Sequence, residues 1–336
     1  MIAAGPLAPA AIVSEAAQEL PVLKPPRLRE GDLVGLVNLS SVASDENIAK
    51  AVHNLEAQGF RVKPGRYIRE VNGHYGGSVA QRVADLHAMF DDREVRAVWC
   101  VRGGAGCSAL LPHVDYARIR RNPKILIGFS DVTAILLAVW RKARVVTFHG
   151  PVGTTLVSDF NVGRARALLM QPGVESVLPI AAENIQRSTV DTQYMPRVFR
   201  HGRATGRLAG GNLSIVSALV GTPYGIQPQG TLLFLEEVGE EPYRIDRMLT
   251  QLDQAGILGG AAGTALGVFQ RCEAKPGEHS STLAEVLESH FLARRQPSMY
   301  GLSIGHIPQQ LTIPLGVRAR LDTEAATLTL LETAVS

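Results

Sequence analysis

In the stretch "ILIGFSDVTAILLAVW", residues 125–140, an apolar run of strand character turns at Gly128 and continues as an apolar helix, with Ser130 and Asp131 at the junction. A serine held there could act as a nucleophile. The first backbone N–H groups of a helix have no partners within it and favour developing negative charge. The N–H of Asp131 is then the natural oxyanion donor. The plainer alternative is that Ser130 or Asp131 only caps the helix, a role both residue types fill well. Local resemblance to the G-x-S-x-G nucleophile elbow is partial, because Val132 stands where the second glycine belongs.

Further groups could complete such a site. The turn "RGGAG", residues 102–106, could offer a second oxyanion donor from the N–H of Gly103 or Gly104, since a backbone without Cβ approaches a ligand closely. It could also be a simple tight turn; it has neither the G-x-G-x-x-G nor the GK[ST] pattern of a phosphate loop. Glu236 and Glu237 end the apolar strand "TLLFLEEVG", and strand alternation sends them to opposite faces. Only one of them can serve a shared site, and carboxylates at a strand end are ordinarily solvated. Arg244 and Asp246 read as surface charges. Among nine histidines, His306 stands out in "SIGHIPQQLTIPLG", constrained between Gly305 and Pro308, with His149 in "FHGP" as its main competitor. No spacing of histidines, cysteines and acids suits a metal, so neither a metal site nor a cofactor is expected.

These groups need a scaffold. From "DLVGLVNLS" onward, short β-branched runs alternate with amphipathic helical patterns, the signature of a parallel sheet covered by helices. "ENIAKAVHNLEAQG" and "RVADLHAMFDD" read as helices, and "VRAVWCVRGGAG" and "KILIGFS" as strands running into the two turns. In such sheets ligands bind beyond the carboxyl ends of the strands, which makes the two turns neighbours over one site. A strand "RVVTFHGPV" closes this unit. We expect a leader over 1–26, an N-terminal α/β domain over 27–156, a connector over 157–205 and a C-terminal domain over 206–330. The last would hold the strand of Glu236, the helix "YRIDRMLTQLDQAG", the strand "ALGVFQRCE", a helix over 281–293 and the segment bearing His306.

The bulk numbers agree with two domains. The chain has 336 residues, and its 34 basic and 31 acidic residues are interspersed, giving a net charge of +3 and no basic face for nucleic acid. No apolar run approaches the roughly 20 residues needed to span a bilayer. Cys100, Cys107 and Cys272 have neither disulfide nor zinc spacing and read as small buried residues. The start, "MIAAGPLAPAAIVSEAAQELPVLKPP", lacks the basic segment of an export signal, so a cytoplasmic protein is expected, with a periplasmic one the alternative.

Six segments taken in order, "LREGDLVGLV", "RVADLHAMFDDREVRAVWCVRGGAG", "ILIGFSDVTAIL", "GRLAGGNLSIVSALVGTPY", "LFLEEVGEEPYRIDRMLTQL" and "GHIPQQLTIPLG", resemble the serine LD-carboxypeptidase family, which includes muropeptide enzymes and microcin-immunity peptidases. The resemblance implies a flavodoxin-like N-terminal sheet with a second α/β domain. It also implies a Ser–Glu–His triad, carried here by Ser130, Glu236 and His306, and a homodimer. The implied activity is hydrolysis of an L,D-peptide bond, releasing D-alanine from murein tetrapeptides. Alternatives are cleavage of peptidyl or aminoacyl nucleotide conjugates, and non-catalytic muropeptide binding. The expected partner is a small peptide, with no nucleic acid and no membrane. Asp131 and Gly104 are the candidate oxyanion donors, Arg102 a carboxylate partner and Asn212 a substrate contact. One departure is Ala105, where members of the family often carry an aromatic residue.

Overall fold

A computed structural model describes residues 20–336, apart from 172, 276 and 278. The expected leader therefore lies mostly outside the described residues. Its last part is held in place: the Leu23 N–H donates to the Arg144 carbonyl at 2.8 Å, and the Pro25 carbonyl accepts from the Ser336 N–H at 2.9 Å.

The chain opens with β1 (Leu33–Val37), α1 (Asp45–Glu56), β2 (Arg61–Pro64), α2 (Val79–Asp91), β3 (Val95–Cys100), α3 (Tyr116–Arg121), β4 (Ile125–Gly128), α4 (Thr133–Ala143) and β5 (Thr147–His149). Local chemistry sets the helix starts. Ser44 caps α1 ahead of Asp45 and Glu46, and a reciprocal Ser78–Gln81 capping box opens α2. The strands pair in parallel in the order β2-β1-β3-β4-β5, the flavodoxin-like arrangement. Every residue of β4 is buried, as expected of a parallel strand covered by helices on both faces.

The remainder contributes α5 (Asp159–Leu169), β6 (Val177–Leu178), α6 (Ala182–Arg187), β7 (Arg197–Arg200), β8 (Arg203–Asn212), α7 (Leu213–Ala218), β9 (Thr231–Val238), α8 (Pro242–Gln254), α9 (Ile257–Gly260), β10 (Gly263–Gln270), α10 (Leu283–Phe291), β11 (Ser298–Tyr300), β12 (Ile313–Leu315), β13 (Arg318–Asp322) and β14 (Thr327–Leu330). All but β12 of these strands form an eight-stranded sheet, β6-β14-β13-β8-β9-β10-β11-β7. Its central β8, β9, β10 and β11 run parallel and its flanks antiparallel.

Two strands of the connector stretch, β6 and β7, thus join the second sheet, whereas β12 leaves the C-terminal stretch and adds an antiparallel sixth strand to the first. The N-terminal sheet is mixed, not purely parallel. The strand β12 is three residues long and contains Pro314, which suits an edge where one ladder bond is not required. Only its tertiary partner β5 makes it a strand at all.

The two units meet where β8 crosses the start of α4. The Asn212 N–H donates to Thr133 Oγ1 at 3.2 Å, and a Cβ on Gly211 would stand 2.6 Å from that oxygen. Its neighbour Gly210, at φ 154°, has no room either, since a Cβ would lie 1.8 Å from the Phe234 carbonyl oxygen. Gly210→Ala is therefore expected to destabilise the protein by about 3 kcal/mol in urea unfolding. Gly163→Ala, in α5 with nothing within 4 Å of the added carbon, should instead stabilise it by about 0.5–1 kcal/mol. Equal effects of the two would show that the close approach of β8 to β9 does not govern stability.

Candidate active site

The nucleophile candidate sits on a tight elbow. A Cβ on Gly128 would stand 2.7 Å from Val132 Cγ1, so the chain folds back on itself at the end of β4 only because none is present. Phe129 is extended, Ser130 takes φ 63°, and residues 130–132 form a single 3₁₀ turn before α4 begins. A left-handed conformation at a non-glycine residue costs of order 1–3 kcal/mol and persists where its surroundings enforce it. Here the buried Asp131 does so. Its Oδ2 accepts from Ser40 Oγ at 2.7 Å and from the Cys107 N–H at 3.0 Å. Neither Ser130 nor Asp131 caps α4 through its side chain, contrary to the simpler expectation, because the 3₁₀ turn moves the helix start to Thr133.

The glycine-rich turn lies against this elbow. A Cβ on Gly103 would stand 2.9 Å from Ser130 Cβ. At Gly104, φ is 138° and a Cβ would meet Ser41 Oγ at 2.3 Å, so both positions require glycine. Ser41 Oγ accepts from the Ala105 N–H at 3.0 Å and lies 2.7 Å from His74 Nε2. Arg102, expected to meet a substrate carboxylate, braces the turn: Nε donates to the Gly103 carbonyl and Nη1 to that of Val42, each at 3.1 Å.

Glu236 and Glu237 separate as alternation requires, but neither is solvated. β9 is central in its sheet and both of its faces are covered. Glu237 accepts from Asn212 Nδ2 (2.8 Å), Ser214 Oγ (2.6 Å) and the backbone N–H groups of Ser214 and Val238 (2.8 Å each). Asn212, whose Oδ1 accepts from the Ile215 N–H to cap α7, thus has both ends of its amide committed within the protein. Glu236, 0% exposed, faces the other domain, and His306 Nδ1 lies 2.8 Å from its Oε2. An ionised carboxylate can only accept, so Nδ1 carries the proton and Nε2 is left as the basic atom.

Gly305 makes this contact possible: at φ 121°, a Cβ there would stand 2.9 Å from the Val268 carbonyl oxygen and 3.1 Å from Glu236 Oε2. The His306 ring rests on that of Phe129, centroids 4.7 Å apart, one residue from Ser130. No hydrogen bond joins Ser130 to His306 in this conformation, a looseness common in sites without substrate. His149, the rival base, is 0% exposed, and neither of its ring nitrogens makes a hydrogen bond.

Electrostatics couple the pair. Burial pushes the Glu236 carboxyl up, but the charge and hydrogen bond of His306 prevail and hold it below the ordinary carboxylate range. Burial likewise pushes His306 down, while Glu236 prevails and raises it. The ion pair therefore exists between the two folded-state pKa values. His306's contribution to stability is lost as pH rises through its raised value, and that of Glu236 as pH falls through its depressed one.

Sequence reasoning did not single out Ser40, Ser41, Cys107 or Phe129. The polar doublet Ser40–Ser41, just past the carboxyl end of β1, was the available signal, since that edge of a parallel sheet is where ligands bind.

Residues 34–150 match the model of the LD-carboxypeptidase N-terminal domain and residues 205–321 that of the LD-carboxypeptidase C-terminal domain. A Bacillus subtilis protein named "Probable murein peptide carboxypeptidase" is 35% identical, over 90% of this chain and 93% of its own. The murein tetrapeptide carboxypeptidase of Pseudomonas aeruginosa is 32% identical, over 86% of this chain and 92% of its own. The solved structure of the microcin C7 self-immunity protein MccF shares the fold, with a TM-score of 0.84 and 22% identity over 94% of this chain and 100% of that one.

The ion pair yields a direct expectation. In NMR titration His306 should titrate above the ordinary 6.5, and in Glu236→Gln below it, because burial, the largest influence on the ring, is then opposed only by the weaker charge of Glu237. Unchanged titration in the variant would mean that Glu236 does not set the charge of the ring.

Proposed function

The chain belongs to the LD-carboxypeptidase family, and from that premise we propose that it is a serine peptidase that releases terminal D-alanine from murein tetrapeptides. The observation that carries this reading is the buried Glu236–His306 pair, delivered by one domain onto Phe129, beside the left-handed Ser130 of the other. The names of the murein peptide relatives support the substrate class.

In this reading Ser130 Oγ attacks the carbonyl carbon of the L,D bond, and His306 Nε2 takes the hydroxyl proton. Glu236 holds Nδ1–H and stabilises the imidazolium that results. The tetrahedral oxyanion is held by the N–H of Asp131 and, across the elbow, by that of Gly104. The intermediate collapses as His306 hands its proton to the leaving amine of D-alanine. Water, deprotonated by the same ring, then attacks the Ser130 ester and restores the hydroxyl. Ser130 and His306 must draw into hydrogen-bond contact as substrate binds, which a small approach of the two domains would bring about. Because His306 acts as a base when neutral and its pKa is raised, kcat/KM should climb with pH through a value above 6.5.

Purified protein incubated with murein tetrapeptide should yield tripeptide and D-alanine. Ser130→Ala should lower kcat on the order of 10³-fold or more. An undiminished Ser130→Ala variant would remove the assigned nucleophile, and turnover confined to aminoacyl nucleotide conjugates would remove the assigned substrate. Tetrapeptide bound but never cleaved, with no labelling of Ser130 by a serine-directed reagent, would point to a binding protein.

A further inference from the structure

The triad accounts for only one side of Glu236. Oε2 meets His306 and the Asn212 amide adds a smaller stabilising influence on the carboxylate, but Oε1 is buried with no hydrogen bond of good geometry. On the facing sheet His149 closes β5, is fully buried, and has no partner at either ring nitrogen. Ring contacts bring these groups to one place. His149 packs edge-on against Phe234, centroids 5.4 Å apart, and Phe234 lies two residues before Glu236 on the same face of β9. It also packs edge-on against Phe129 at 6.0 Å, the ring that carries His306 at 4.7 Å. Buried polar groups left over in one place are ordinarily joined by an internal water making about three hydrogen bonds.

We infer that His149 is a positioning residue for the reaction, joined through a buried water to Glu236 Oε1, so that both carboxylate oxygens are held and the group cannot turn away from His306. The inference rests on the triad reading above. His149 suits this task because it is neutral: burial brings its pKa down to about 4, His306 adding to the fall and Glu236 opposing it. These are the charged groups that face it, Glu236 from β9 and His306 from its loop. A neutral ring supplies one N–H and one lone pair without placing a second cation beside the imidazolium that forms in catalysis.

A donor to Oε1 also spreads the carboxylate charge and lowers the proton affinity of the Glu236–His306 pair. Its loss should therefore move the acidic limb of the kcat/KM profile to higher pH.

The test compares full-length His149→Phe and His149→Gln with the parent on murein tetrapeptide. His149→Phe should lower kcat about 10- to 100-fold, the range seen when a supporting partner of a reacting group is removed, with KM changed by less than about twofold. Its acidic limb should move up by about half a pH unit or more. His149→Gln, which keeps an amide donor and acceptor, should recover part of both. If the cluster is dry, His149→Phe removes two unsatisfied nitrogens at no catalytic cost, and a parental kcat and pH limb with a raised Tm would overturn the inference. Should neither variant fold, the parent still decides: ¹⁵N shifts of the His149 ring characteristic of nitrogens without hydrogen bonds would overturn it equally. Ser130→Ala run alongside separates the failures. A dead Ser130→Ala with a normal His149→Phe sinks only the role of His149, whereas an active Ser130→Ala sinks the triad itself.

Discussion

A negative charge buried between two sheets governs this molecule. Glu236 is withdrawn completely from water, and an isolated carboxylate in such a place would take up a proton. It stays ionised because His306 is brought to it at 2.8 Å. Much of the surrounding architecture follows from that need. The loop of His306 must run against β9, hence Gly305; the ring must be backed, hence Phe129; and Glu237, one residue on, must be hydrogen-bonded separately by four donors on the opposite face. A histidine whose position is set by a buried charge needs little reorganisation when it gains a proton, which is what general-base chemistry asks of it.

The side that carries the proposed nucleophile obeys a different constraint. Ser130 is held in a conformation its residue type disfavours, and the agent is another buried carboxylate, Asp131, anchored to the end of β1 and to the turn after β3. Three strand ends of one sheet thus converge on a single backbone angle. The second domain touches the same place through Asn212 and Thr133, so the two halves of the site share a boundary at the first turn of α4.

The doubly wound half of the fold was legible because its signals are local: caps, apolar periodicity and buried runs. The alternation at Glu236 and Glu237 was legible for the same reason, and in the structure the two part, Glu236 to His306 and Glu237 to Asn212 and Ser214. The left-handed backbone at Ser130 was not, since nothing in "GFSD" distinguishes an elbow from a helix cap without Ser40 and Cys107, which lie far off in the chain. The burial of both glutamates was hidden too, because it depends on what covers β9. The strand "IPL" carries no strand signal of its own and owes its state entirely to β5. The partners of Arg102, two backbone carbonyls, and of Asn212, the Glu237 carboxylate and the Ile215 N–H, were hidden too, because tertiary contacts that local pattern does not specify set them.

The return of β12 to the first sheet bears on how the molecule is made. As the chain leaves the ribosome, five strands of the first sheet are complete by residue 149, yet the edge of β5 stays uncovered until residues 313–315 emerge. An open edge of that kind is a template for pairing with other chains. From the emergence of residue 149 to that of residues 313–315, then, the nascent protein carries an unfinished first domain whose open edge only a strand made much later can cover.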